Sequence, residues 1–379
     1  MYKKKVLQSK GCGFAMAIVL CSIVLLLVVG TGLLNLGFHS RSFGARTCSG
    51  IAARCAADAA LTKALFDMNR KLMASAWDSN TMPQVTDETL ANCDATFSYN
   101  VRGDLGNNYV VTCIGSSGQT TKTVSAILRL QGLFDNAITA KNTIDLKTGT
   151  MVDGYDSSNP SAGDVPVKIA TSSEDEGSIK LKPGASVDGD MLLGIDGYYP
   201  DVTPPILPAM GAIDLQEETL DLEPEQSGQY SYINVKNNGQ IVIDGGDVVL
   251  HITGDMWFGQ GTEFLIREGS SVTIYLDGDL TAGNSSGITN ETQTPSNFAL
   301  YGTGDDQRFE LKAKSDWFGV IYAPNAEITI KAGANIFGAF VSADFEMKAG
   351  GYIYYDAALQ NVTTTDVGVS FVVDRWQEE

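Results

Sequence analysis

The sequence predicts a mainly β protein led by a long membrane-inserting helix. Three observations predict it. Phe14 to Phe38 is an uncharged apolar run, long enough for a helix to span a bilayer core. Residues 47–77 continue it with alanine-rich helical spacing. Beyond position 140, Gly and Asp punctuate short β-rich runs that recur at imperfect but similar intervals. The expected architecture is an N-terminal transmembrane and amphipathic α-helix, a small strand region, and then a right-handed parallel β-helix-like solenoid. A β-sandwich is the alternative, since short strands with turns also fit it.

The apolar run comes first. A bilayer core needs about 20 apolar residues in a helix. A cleaved secretory core is usually about 7–15 residues and ends at a small-residue site. This run is longer and lacks such a site, so it reads as a span. Lys3, Lys4, Lys5 and Lys10 precede it, which places the N-terminus in the cytoplasm and the remainder outside. A lipoprotein reading fails, because Cys12 precedes the run and Cys21 lies inside it after Leu20. The charge splits at the same place. Of 26 basic and 45 acidic side chains in all, positions 1–46 hold six basic and no acidic. The rest of the chain therefore has a net charge of −25. Such a surface repels nucleic acid and suits a soluble exported domain.

Residues 47–77 supply strong helix formers, among them Ala52, Ala53, Ala56, Ala57, Ala60 and Ala64. Leu61, Leu65, Met68 and Leu72 recur at helical spacing and are expected to form the packing stripe. The stretch around Pro83 ends the pattern.

The leader Lys10-Gly11-Cys12-Gly13-Phe14-Ala15-Met16-Ala17-Ile18-Val19 resembles a type IV prepilin signal. The resemblance implies a prepilin peptidase cutting between Gly13 and Phe14, an anchor through residues 14–38 in a bacterial inner membrane, and packing with pilin or pseudopilin subunits. Major pilins carry Glu at the fifth mature position, where this chain has Ile18. The pattern is therefore more similar to PilX-type minor pilins.

Residues 78–138 read as a small β region. Thr96–Val101 and Tyr109–Ile114 are β-rich runs across a turn-rich connection, and Thr121 to Leu130 alternates as a third strand. Cys93 and Cys113 flank this unit outside the membrane, where disulfides persist, and are the disulfide candidate. Cys48 and Cys55 lie two helical turns apart, too far to bridge each other.

The second half is repetitive. Val187-Asp188-Gly189-Asp190-Met191, Ile252-Thr253-Gly254-Asp255-Met256 and Leu276-Asp277-Gly278-Asp279-Leu280 share one phrase. Gly254 to Gly278 and Ile321 to Phe340 are steps of similar length. Strands with Gly and Asp corners at such periods imply stacked rungs, each burying its apolar residues on the next. Val248, Leu250 and Ile252, then Val272, Ile274 and Leu276, show the alternation of half-buried strands. The phrase from Phe318 to Ile330, followed by Phe337-Gly338-Ala339-Phe340-Val341, resembles the solenoid-like DUF7305 module found behind PilX-type N-termini, over roughly residues 215–360. That module often ends in His-Tyr-Asp, and Tyr354-Tyr355-Asp356 stands in its place here.

Chemistry is sparsely signalled. His39 and His251 are the only two histidines, and neither has a Cys or His partner at metal-ligand spacing. Asp188, Asp190, Asp196 and Asp201 cluster in sequence, as do Asp244, Asp247 and Asp255, but most adjoin Gly, where Asp is a good turn residue. The sequons at Asn284, Asn290 and Asn361 are expected in exposed loops, and Pro204, Pro205 and Pro208 mark a linker or a rung boundary near 200–210.

The expected organisation is a leader over 1–13, a transmembrane and alanine-rich helix over 14–77, a small β region over 78–138, a solenoid over 139–362 and a tail over 363–379. The expected role is structural: a minor-pilin-like component of a type IV pilus or related secretion or assembly filament, displaying the solenoid for adhesion or assembly, with a surface ligand among its expected partners. No catalytic residue, metal or cofactor is expected. The alternatives are a membrane-anchored carbohydrate-active enzyme and a cell-surface binding module outside any filament.

Overall fold

The computed structural model describes residues 12–74, 77–103, 108–159, 161, 163, 165–197, 199–283, 285–312, 316–331 and 335–378. The basic leader ahead of Cys12 and the sequon residue Asn284 lie outside these residues. The protein is mainly β with a long apolar N-terminal helix. It divides into two compact units, one built from residues 1–129 and 371–379, the other from 130–370.

In the first unit one helix, α1 (Cys12–Ala74), runs unbroken for 63 residues. It is long and apolar enough to cross a membrane. Its first half is bare: Leu25, Leu26, Leu36, Phe38 and Phe43 are each at least 65% exposed. Its second half is covered. Ala53, Ala56, Ala57, Ala60, Ala64 and Met68 are fully buried, spaced three and four apart on one face. The packing stripe is therefore the alanines. Of the expected stripe, only Met68 lies on the buried centre line, and Leu61, Leu65 and Leu72 flank it, half-buried.

The alanine face packs on an antiparallel sheet of β1 (Gln84–Thr89), β2 (Thr96–Gly103), β3 (Tyr109–Ser117) and β4 (Thr120–Gln131). Period-2 alternation turns Tyr99, Cys113 and Val124 to the same buried face, in register across three strands. Gly115 makes the close approach possible. A Cβ there would meet the Ala53 carbonyl oxygen at 2.0 Å and the Ala57 nitrogen at 2.5 Å. The segment expected as a tail instead supplies a fifth strand, Ser370–Glu378, beside β4. Its Phe371 is buried against Trp77 and Tyr109.

The second unit is a parallel sheet closed around one apolar core. Every register described within it is parallel, so the sandwich alternative, which needs antiparallel pairing, does not apply. Strands one repeat of sequence apart lie side by side, as Val272 to Leu276 beside Val248 to Ile252. Leu250, Ile274, Leu300, Ile321 and Phe340 stack inward from successive levels, each at most 1% exposed. At the recurring Gly-Asp corner a Cβ on Gly278 would meet the Gly254 carbonyl oxygen at 2.5 Å, which explains the repeated glycine.

The levels do not follow chain order. β5 (Ile138–Leu146), β6 (Met151–Tyr155), β7 (Val167–Thr171), β8 (Ile179–Leu181), β9 (Ser186–Val187) and β10 (Gly189–Leu192) build one end. β11 (Ala209–Gln216) and β12 (Thr219–Leu222) begin the opposite end. The chain then winds back until the strand Asn335–Met347 pairs with β5. One outward column records the whole stack: Asp214, Asn234, Trp257, Thr281, Glu310, Thr329, Glu346, Asp145, Lys180. At about 4.8 Å per level its ends are roughly 40 Å apart.

The connection from β10 to β11 must cover that height, and at about 3.3–3.6 Å per residue its length suffices when its proline-rich second half is extended. Pro200, Pro204, Pro205 and Pro208 suit that conformation. It is tied down along the way. The Tyr322 hydroxyl donates to the Pro200 carbonyl at 2.8 Å, Tyr199 shares a 2.8 Å hydrogen bond with Ser172, and the Gln229 N–H donates to the Pro208 carbonyl at 2.7 Å. The proline segment, expected as a linker or a rung boundary, is thus a strap along the stack.

Candidate functional site

Each unit carries a feature built from several side chains. In the first unit it is the packed half of α1. Asp67 is buried on the alanine face. The Tyr99 hydroxyl donates to Asp67 Oδ2 at 2.6 Å, Lys63 Nζ lies 3.1 Å away, and Arg70 also pairs with it at 3.1 Å. Burial pushes the carboxyl up, but the Tyr99 hydroxyl and Lys63 outweigh it, so it sits below its ordinary value. Burial and the Asp67 carboxylate raise Tyr99. The cluster locks the helix to the strand that carries Tyr99.

Gly13 and Phe14, the expected processing residues, fall in the first turn of α1. The disulfide expectation is corrected: Cys93 and Cys113 are both free. Cys113 lies mid-strand opposite Tyr99, while Cys93 is in the turn ahead of Thr96. Their sites are too far apart along the strand pair for a bridge, which requires Cα atoms within about 7 Å. Burial pushes the Cys113 thiol up to about 12, leaving it protonated and unreactive. Cys48 and Cys55 are free and exposed, and His39 is exposed on the bare half of α1.

In the second unit the feature is a groove of about 970 Å³ lined by the rings of Phe318, Phe337 and Tyr155 together with Thr289, Glu291 and Gln293. Phe318, Phe337 and Tyr354 occupy one column on successive levels. Their rings stack at 4.4 Å and 5.0 Å, and Tyr155 meets Phe337 edge-on at 5.7 Å. Glu268, Glu291 and Asp316 are exposed around the groove, and Arg267 bonds Glu291 at 3.2 Å. Ring surface beside carboxylates and amides suits a ligand that offers apolar faces and hydrogen-bond donors. Asn290, expected in an exposed loop, is buried at its edge and donates to the Phe318 carbonyl at 3.2 Å.

The aspartates of the repeats are spread through the stack as corner residues. Asp255 Oδ1 accepts the Asp279 N–H at 2.9 Å, and Asp279 Oδ1 accepts the Arg308 N–H at 2.8 Å, tying successive levels together. Asp244 accepts its neighbour Gly245's N–H, and Asp247 accepts the Ser271 hydroxyl. Asp190 lies on the terminal strand β10, and Asp201 lies on the strap beside Pro200. His251 bonds Asp277 at 3.1 Å. Among the described residues, no three of the His, Cys, Asp and Glu side chains converge on a point that could hold a metal.

A lysine ladder runs beside the corner that follows β5 and β8. Lys312, Lys331, Lys348, Lys147 and Lys182 follow one another on successive levels. Lys331 pairs with Glu310 at 2.5 Å, and Lys147 with Asp145 at 2.5 Å and Glu346 at 2.9 Å. Lys348, followed by Lys147, holds the Glu346 carboxyl below its ordinary value. The ladder is not among the expectations from sequence, although its signal is present there. Leu146-Lys147-Thr148-Gly149, Leu181-Lys182-Pro183-Gly184 and Met347-Lys348-Ala349-Gly350 share one corner phrase.

A protein family described as a domain of unknown function, DUF7305, matches residues 208–362. The match opens where the strap ends and β11 begins, so the levels built by residues 138–192 lie outside it. No curated protein matches. Among solved structures, the competence-associated pilin ComZ from Thermus thermophilus matches with a TM-score of 0.24 and 12% identity, covering 87% of this chain and 97% of that one. The DUF3494 domain of ice-binding protein_1 from Shewanella frigidimarina matches at a TM-score of 0.33 and 14% identity over 59% of this chain and 94% of its own. An ice-binding protein from the Antarctic ascomycete Antarctomyces psychrotrophicus matches at 0.26 and 12%, over 57% and 93%. TM-scores this low establish no shared fold.

Proposed function

We propose that the chain is a structural, minor-pilin-like component of a type IV pilus or related secretion filament, anchored by α1 and displaying its wound β unit outside the membrane. One observation carries the reading. α1 is a single helix whose first half is bare and apolar and whose second half is pressed by alanines onto an antiparallel sheet. A bare half of that composition needs lipid or other helices around it. Residues 14–38 would lie in the inner membrane with the basic leader in the cytoplasm, and a prepilin peptidase would cut between Gly13 and Phe14.

The second unit is read as a right-handed β-helix-like solenoid, since crossovers between parallel strands are right-handed in about 98% of cases. Its role is display, without catalysis, metal or cofactor. The groove at Phe318 favours one further reading, a binding module that engages a surface ligand without entering a filament. Shearing separates the two. A filament component is expected in the sheared surface fraction and to cross-link, from a photoreactive residue at Leu26, to pilin-sized partners. Retention of all the protein in the membrane fraction, with no such cross-link, would exclude the filament role.

A further inference from the structure

The groove at Phe318 combines aromatic rings with hydrogen-bond acceptors. Phe318, Phe337 and Tyr354 are half-buried and repeat at one position on successive levels. Phe337 has a ring on each side, at 4.4 Å and 5.0 Å, so its faces are covered. Phe318 begins the column. Among the described residues Phe337 is the only ring stacked on it, and pairing of its strand with Phe298–Gly302 on the preceding level starts only at Val320. The rings behind it hold Phe318 in place, and Asn290 braces its backbone. Asn290 Nδ2 donates to the Phe318 carbonyl at 3.2 Å and to the Thr294 carbonyl at 3.0 Å, while its Oδ1 accepts the Thr292 N–H at 3.1 Å. The groove is therefore formed before any ligand arrives, which lowers the cost of binding.

The polar lining narrows the ligand's chemistry. Glu268, Gln293 and Asp316 are exposed along the groove. Glu291 is engaged by Arg267 at 3.2 Å. No lysine or arginine is among the lining residues, so an anion would meet like charge there. The acids do not act as one centre either, since among the described residues no three of them converge on a point that could hold a metal ion. Separated acceptors match a ligand whose donors are also separated. A carboxylate accepts hydrogen bonds from hydroxyls, and a side-chain amide both accepts and donates them. The face of an aromatic ring is electron-rich and attracts C–H groups laid flat on it. A sugar ring offers both in one uncharged molecule: a C–H face, and hydroxyls spread around its edge.

We propose that this groove binds an uncharged saccharide, with one sugar ring lying on Phe318 and its hydroxyls bonded to Glu268, Asp316 and Gln293. The proposal names the ligand class for the displayed second unit, and it rests on that unit lying outside the membrane. It needs no contact made by α1, so it holds for the protein inside or outside a filament.

Calorimetry on full-length protein tests it, in a detergent without a sugar headgroup. The probes are maltohexaose, cellohexaose and N-acetylated chitohexaose, with hexalysine as the charged comparison. At least one of the saccharides is expected to bind with a Kd of about 1 mM or tighter. That affinity is expected to persist in high salt, which screens ionic contacts. Phe318→Ala is expected to weaken it by about ten-fold, and Phe318→Tyr, which keeps the ring, to preserve it. Glu268→Ala changes an exposed side chain and is expected to weaken binding several-fold with the thermal melt unchanged. Absence of binding by all of these saccharides overturns the proposal. Saccharide binding that neither Phe318→Ala nor Glu268→Ala alters also overturns it. Salt-sensitive binding of hexalysine in place of the saccharides overturns it too, because the groove would then be a site for cations. None of these results bears on the filament reading, which shearing and the Leu26 cross-link test separately.

Discussion

The two units bury β-strands by opposite means. In the first, a helix closes over one face of a hairpin-built sheet, and the closeness depends on small groups: Ala53, Ala56 and Ala57 against Gly115. In the second, each level covers the next, and large side chains such as Phe340 and Phe345 fill the interior. The first is specified by local pairing and one intimate contact. The second spreads its core over many similar contacts, except at the seam where Asn335–Met347 meets β5 from far earlier in the chain. A single substitution should therefore act through volume in the stack and through approach distance in the sheet.

The largest expected effect is at the seam. Phe345 is 1% exposed and sits in register with Ile328 and Ile144. Phe345→Ala should cost about 3–5 kcal/mol. Urea unfolding followed by hydrogen exchange should show residues 138–192 losing protection first, with α1 and its sheet unaffected. Equal loss in both units would break the distinction drawn between them.

Gly115→Val comes next. Its side chain would collide with the α1 backbone, so about 3 kcal/mol is expected from the forced displacement. Proteolysis within 50–74 should accelerate, while the stack stays intact.

Asp67→Asn should cost about 2 kcal/mol, since it weakens charged hydrogen bonds in a buried place. The sign with pH follows from the carboxyl being held below its ordinary value. The stabilisation is fully present above the unfolded value, about pH 4, and is lost as pH falls through the lower folded value. Acid unfolding of the first unit should therefore show a steeper limb in wild type than in Asp67→Asn. Identical limbs would mean that Asp67 does not set the acid response.

Lys331→Ala should have the smallest effect, under about 1 kcal/mol, because exposed ion pairs contribute little. A larger loss in thermal melts would mean that the ladder stabilises the stack cooperatively.

What is legible in the sequence follows the same division. The apolar run of α1 is plain from Phe14 to Phe38, and the strands around Tyr99, Cys113 and Val124 from their alternation. Local spacing fixes both. The alanine stripe is masked because Leu61 and Leu65 are more apolar, although the close approach at Gly115 admits only methyl groups. Level spacing is visible in the Gly254 and Gly278 phrases, since each corner repeats the same steric demand. Level order is not, because nothing local in Ile138–Leu146 announces that its partner is Asn335–Met347. The Phe318, Phe337 and Tyr354 column is hidden for the same reason: its rings meet only once levels are stacked.

The proposed function depends above all on α1 being a processed anchor, and the mass of the mature protein extracted from membranes tests that most directly. The expected chain begins at Phe14, with Met1 to Gly13 removed. An intact Met1 in otherwise functional protein would contradict it.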